Sequence, residues 1–245
     1  MKKILVLLSI VTGFSQSATA ADFTALGVLN TAQFQLLSED FGAALSYKSL
    51  QPADSLGITG FDISIEATST DVSKSGAALK TATGGALDVT SILIPKLHVS
   101  KGLPFGIDVS ASMASVPSTN IKLVGGELRV ALLKGGIAIP AIALRGAISS
   151  MTGVDELSFN TKSLDISISK GFLMFTPYAG LGSVWVNSTP NLTTAANPNG
   201  LAALSFNLPK SFIGLNVNLG LMNFALEKDK TGDASSTSFK FGFRW

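Results

Sequence analysis

His98 is the single histidine of a 245-residue chain that contains no cysteine. Imidazole is the one side chain whose ordinary pKa lets it take and return a proton near neutral pH, so general-base chemistry here would have to start from His98. Ser100, Asp108 and Ser110 lie close to it in sequence and supply the other residue types of a hydrolytic site. The supporting motifs are missing. There is no HExxH, no P-loop, no nucleophile elbow and no EF-hand loop, and Gly180-Leu181-Gly182 lacks the third glycine of a dinucleotide fingerprint. A catalytic role, a metal and a cofactor are therefore not expected. A lone histidine among charged neighbours reads as a hydrogen-bonded filler, and alanine in its place is expected to leave folding unchanged.

Charged residues make the larger pattern. Asp62, Glu66, Asp108, Glu127, Asp165 and Glu227 stand against Lys96, Arg129, Arg145, Lys240 and Arg244. Each sits on the polar face of a segment whose other face is apolar. Six acids and five bases on facing surfaces nearly cancel, and isolated buried charges are costly enough that they should pair. Two uses follow: an ion-pair network that fills an interior, or a polar constriction that passes small solutes.

The elements that position these residues alternate with period two, the signature of strands. Ten such segments can be counted, over 58–68, 92–101, 105–113, 121–133, 139–149, 157–169, 172–186, 212–219, 224–228 and 235–245. In the first, Phe61, Ile63, Ile65 and Ala67 share one face, and Asp62, Ser64 and Glu66 the other. The connections after the even-numbered segments are short, while those over 70–91 and 187–210 are long. Pro95, Pro140 and Pro177 fall within segments; a proline cannot donate to a ladder, so Pro95 and Pro177 should mark bulges and Pro140 a strand start.

The chain ends on Phe239, Phe241, Phe243 and Trp245, alternating with Lys240, Gly242 and Arg244. Such a strand has one wholly apolar face, which suits lipid better than water. At the other end, Lys2 and Lys3 precede an apolar run and Ala18-Thr19-Ala20 supplies a cleavage pattern, so residues 1–20 read as a secretory signal peptide. No later run is long enough for a membrane helix, yet 46% of residues are hydrophobic and 14% charged. A spanning protein without helices must be a closed barrel. The expected fold is all-β: a transmembrane antiparallel up-and-down barrel over 56–245, of about ten strands, with eight or twelve as alternatives. The aromatic C-terminal strand resembles the assembly signal of Gram-negative outer-membrane β-barrels. That resemblance implies an outer-membrane location, lipid as a surrounding partner, and barrel-assembly machinery that reads Phe239, Phe241, Phe243 and Trp245.

Residues 21–55 do not alternate. Leu26, Leu29, Leu36, Leu37, Phe41 and Leu45 recur at roughly helical spacing, and Ser38-Glu39-Asp40 reads as a helix start. A helical segment before the barrel resembles, in architecture alone, the plug of the FadL transporters of hydrophobic compounds, whose barrel has more strands. Removal of Lys2 and Lys3 leaves basic and acidic residues equal in number, so nothing points to nucleic acid. The expected function is a channel or transporter for small or hydrophobic solutes. The alternatives are a sealed structural or surface-interaction barrel and, as a lesser one, a lipid or peptide hydrolase.

Overall fold

The structure, a computed structural model, describes residues 23–136 and 138–245; the expected signal peptide lies outside them. Ten strands form one closed antiparallel barrel: β1 (Phe61–Asp71), β2 (Ser91–Gly102), β3 (Ile107–Ser115), β4 (Lys122–Leu133), β5 (Ala141–Thr152), β6 (Leu157–Ser169), β7 (Phe175–Pro190), β8 (Leu204–Leu219), β9 (Met222–Thr231) and β10 (Ala234–Arg244). Each strand pairs with its sequence neighbours, and β1 closes on β10 from Asp62↔Arg244 to Thr70↔Ser236. The last residue completes the seam: Trp245 and Phe61 exchange backbone hydrogen bonds of 2.7 and 3.0 Å, and their rings stack at 5.2 Å.

β8 and β9 are longer than their alternation suggested, and polarity reverses along the wall. In β6, Leu164, Ile166 and Ile168 face out while Asp165, Ser167 and Ser169 are buried; nearer its start, Ser158 and Lys162 are exposed while Leu157 and Phe159 are buried. β7 and β8 do the same, with Val184, Val186 and Leu208 turned inward and Asn187, Ser205 and Asn207 outward. The lower storey has lipid outside and charge inside. On these strands the upper storey has water outside and oil inside, as a soluble barrel would, while β1 and β10 keep hydroxyls inward there, Thr68 bonded to Ser238 and Thr70 to Ser236.

That inverted pattern accounts for several corrections. Residues 204–210 belong to β8 rather than to a long loop, and Asp229, Lys230 and Thr231 continue β9 rather than turning it. At the lower rim, Phe105 sits in a 3₁₀ turn with φ 66°, and Phe172 lies in the turn before β7. The expected bulges at Pro95 and Pro177 are not there; among the described residues the one register shift lies between Ala131 and Leu133. The prolines are tolerated for another reason. Pro95 stands one residue beyond the β2–β3 ladder, Pro177 one beyond β6–β7, and Pro209 one beyond β8–β9. Lys170 and Gly232 still donate to the Pro177 and Pro209 carbonyls, so each missing N–H falls where a ladder has ended. Pro140 precedes β5, as expected.

Inside the upper storey lies α1 (Thr31–Leu45). It starts at Asn30, not at Ser38-Glu39-Asp40: the Asn30 side chain accepts from the Gln33 N–H while the Gln33 side chain accepts from the Asn30 N–H, a reciprocal cap. Phe34, Leu37, Phe41 and Leu45 pack with Phe159, Val184, Val186 and Leu208, and the Phe41 and Phe159 rings meet edge-on at 6.1 Å. Gly42 lets the helix approach β7, since a Cβ there would stand 2.6 Å from Val186. A second helix, α2 (Gly76–Ala82), lies in the β1–β2 loop and adds Ala78, Leu79 and Ala82 to the same cluster.

Phe241 lies in the lipid-facing band opposite Ile65 and Phe224, its ring 5.1 Å from that of Phe224. Phe241→Arg is expected to cost roughly 2–4 kcal/mol if this position is at mid-bilayer depth. The yield of heat-modifiable barrel in the membrane fraction should drop sharply; an undiminished yield would contradict the register.

Candidate functional site

The lower lumen is the place where titratable groups converge. Alternation turns Asp62 and Glu66 of β1, Lys96 and His98 of β2, Asp108 of β3, Glu127 and Arg129 of β4, Arg145 of β5, Asp165 of β6, Glu227 of β9, and Lys240 and Arg244 of β10 toward it. All five bases are in ion pairs: Lys240 and Arg244 with Asp62 at 2.8 Å, Lys96 with Glu66 at 2.7 Å, Arg129 with Asp108 at 2.8 Å, and Arg145 with Asp165 at 2.6 Å. Arg129 donates through both Nε and Nη2 to one oxygen of Asp108, Oδ2, charge-assisted bonds that are stronger than neutral ones. Glu127 accepts from the Ser49 hydroxyl, and Glu227 is buried; neither has an ion-pair partner within 4 Å among the described residues.

Residues 46–56 thread this lumen in extended form below α1, and they answer the wall group by group. Lys48 pairs with Asp229 at 3.2 Å, both almost fully buried. Its carbonyl accepts from Lys96, and the Tyr47 carbonyl from Lys210. Gln51 donates to Ser100, the Pro52 carbonyl accepts from Arg129, the Ala53 N–H reaches Ser169, and the Leu56 N–H reaches Asp108. The fit is close: a Cβ on Gly125 would stand 2.6 Å from the Tyr47 ring.

His98 sits within this packing. Its Nδ1 meets Glu66 at 2.8 Å, and its Nε2 meets the Tyr47 hydroxyl at 2.8 Å, with Ser100 Oγ farther away at 3.4 Å. Carboxylate, imidazole and hydroxyl thus stand in the order of a hydrolytic triad. The serine hydroxyl, however, is shared with Gln51 and Ser110, and Tyr47 occupies the imidazole. The cavity beside Tyr47 and Lys96 measures about 30 Å³, room for about two water molecules. A wider recess of about 420 Å³ opens at the lower mouth between Pro52, Asp54, Arg244 and Trp245.

Above, Asp40 of α1 accepts from the Ser75 N–H at the start of α2, and Ser38 donates to Ser188 of β7. Burial raises the pKa of Asp40 while the hydrogen bonds from Ser75 pull it down. These groups, with Tyr47, Lys48, Lys210 and Asp229, escaped the sequence reading. Lys210 and Asp229 are in phase with the inward residues of β8 and β9, and extending the alternation past Pro209 and Lys228 would have found them. The extended 46–56 segment carries no periodic signal at all.

No family model and no curated protein matches this chain. Solved structures do: the outer membrane protein OprG from Pseudomonas aeruginosa (13% identity over 80% of this chain and 99% of that one, TM-score 0.34), the KdgM porin (7%, 74% and 98%, TM-score 0.40), and the translocator domain of the autotransporter NalP from Neisseria meningitidis (11%, 94% and 99%, TM-score 0.35). What the described residues show is the closed antiparallel barrel of ten strands itself. The likeness is one of fold.

Two substitutions test the lumen. His98→Ala removes a partner from Glu66 and another from Tyr47, so the structure replaces the expectation of an unaltered fold with a loss of about 1–3 kcal/mol; the temperature of the heat-induced mobility shift should fall. Lys48→Met strands the Asp229 carboxylate and should cost about 3–5 kcal/mol. Its readout is faster proteolysis within residues 46–60 of the folded barrel.

Proposed function

We propose that the barrel admits small hydrophobic solutes sideways, through the upper part of the β2–β3 seam, with residues 44–48 as the inner gate. The observation that carries this reading is the thinness of the wall there. The β2–β3 ladder begins only at Lys96↔Ala114, so Ser91–Pro95 pair with β1 alone. On the lipid side of the gap lies a groove of about 530 Å³ bordered by Ile65, Leu97, Met113 and Val124. On the lumen side lies the small cavity beside Ala44, Tyr47 and Lys48. Lys96, Ala114 and Leu123 border both.

Polar residues also border the groove, Ser115, Lys122 and Thr152 among them, and the Lys96 ammonium is held inward by Glu66 and by the Lys48 carbonyl. A solute coming from the lipid side meets hydrocarbon first, and passage requires that ammonium and the backbone at Tyr47–Lys48 to give way. The axial route is filled by α1 and the extended segment. A steady open pore is accordingly not part of the reading.

The chain has no native cysteine, so a Pro95→Cys, Ser115→Cys pair, one register step above the ladder, introduces the only thiols. Oxidised to a disulfide, it should reduce accumulation of a hydrophobic dye by intact cells to that of cells lacking the protein, and reductant should restore it. Equal accumulation in oxidised, reduced and protein-free cells would leave a sealed barrel, with the loops over 72–90 and 191–203 as its outward surface.

A further inference from the structure

On the outer wall, away from the β2–β3 seam, β9 ends in two lysines that face out. Lys228 and Lys230 are exposed, two residues apart, directly above the apolar column Met222, Phe224 and Leu226. The register surrounds them with hydroxyls: Lys230 lies opposite Ser211 of β8 and Ser235 of β10, and Lys228 lies opposite Thr237 of β10 and Ile213 of β8. Neither ammonium makes an ion pair among the described residues, and the acid of the adjoining turn, Asp233, is held by Lys74 at 2.5 Å. Other outward lysines of the upper wall, Lys122 on β4 and Lys162 on β6, have no second lysine two residues away on their strands.

Beneath the pair runs a groove of about 730 Å³ in the barrel exterior. Its sides are Ile142, Ile166, Ile168, Leu181 and Ile213, Ala179 supplies a small residue between them, and Lys228, Lys230, Ser211 and Ser235 close its upper end. The volume falls within the range of ligand pockets, roughly 300–1,000 Å³. A hydrocarbon groove crowned by two cations and flanking hydroxyls is complementary to a molecule with an acyl chain and a phosphate at one end. Its height agrees: the lysines stand where outward residues change from apolar to polar, the level of lipid headgroups.

We propose that this face is a binding site for a phosphate-bearing lipid of the surrounding membrane, its acyl chain in the β6–β8 groove and its phosphate between Lys228 and Lys230. Charge complementarity chooses this occupant over a zwitterionic lipid, whose own cation would oppose the lysines. The site is independent of the solute pathway.

Native mass spectrometry of the whole detergent-purified protein with dioleoyl phosphatidic acid or dioleoyl phosphatidylcholine tests it. The wild type should retain the phosphatidic acid and little of the phosphatidylcholine. Lys228→Gln with Lys230→Gln should lower retention of phosphatidic acid to the level of phosphatidylcholine, and Lys228→Arg with Lys230→Arg should keep the preference. Ala179→Phe, which fills the groove without touching the lysines, should weaken retention of both lipids. Heat-modifiable mobility checks that every variant is folded. Equal retention of the two lipids by the wild type, or an unchanged preference in the glutamine variant, overturns the proposal. Abolition of the preference by millimolar inorganic phosphate, with Ala179→Phe inert, overturns it in favour of a free-phosphate site.

Discussion

The structure depends on a wall that meets two solvents in succession. In hydrocarbon every backbone polar group needs a partner within the protein, and closing β1 on β10 provides it for ten strands at once. The same wall then rises beyond the lipid band, where outward positions carry Ser158, Asn187, Ser205 and Asn207. Inward positions must take the opposite polarity at each level: paired charges below, and Phe159, Val184, Val186 and Leu208 above. The N-terminal segment obeys the same division. Its helix brings an apolar surface to the upper storey, and its extended part brings carbonyls, N–H groups and one ammonium to the lower.

Buried charges give this arrangement its specificity more than its stability. A paired carboxylate and guanidinium removed from water gain little over apolar residues of the same size, whereas an unpaired one is costly. A slip of β4 by one residue would turn Arg129 away from Asp108 and from the Pro52 carbonyl together. The pairs Arg129–Asp108 and Lys48–Asp229 therefore penalise wrong registers, both between strands and between the segment and the wall.

Barrel class, strand number and inward faces were legible because the lower storey follows the rule for membrane strands: aliphatic out, charged in. Asp62, Glu66, His98 and Arg129 could be placed on the polar face from two-residue periodicity alone. Legibility ended where the polarity reversed. Asn207, Pro209, Asp229 and Lys230 have the composition of loops, and only the hydrogen-bond ladder reveals them as wall. Nor does any pattern in Tyr47, Lys48 and Gln51 announce that they meet His98, Asp229 and Ser100, since these partners lie between 49 and 181 positions away in sequence. Asn30 and Gln33 were a readable helix start, in competition with the acids at Glu39 and Asp40, and local hydrogen bonding decided it.

The path of residues 46–56 also constrains the order of events during assembly. This stretch is tied to β2, β3, β4, β6, β8 and β9, and a helix of fifteen residues is attached at its upper end. Threading it into a finished cylinder would mean forcing that helix through a passage already crossed by charged side chains. A mandrel is wound before the coil is closed, and the chain carries its own: residues 31–56 have the form of a template around which the strands close, with the β1–β10 seam as the join.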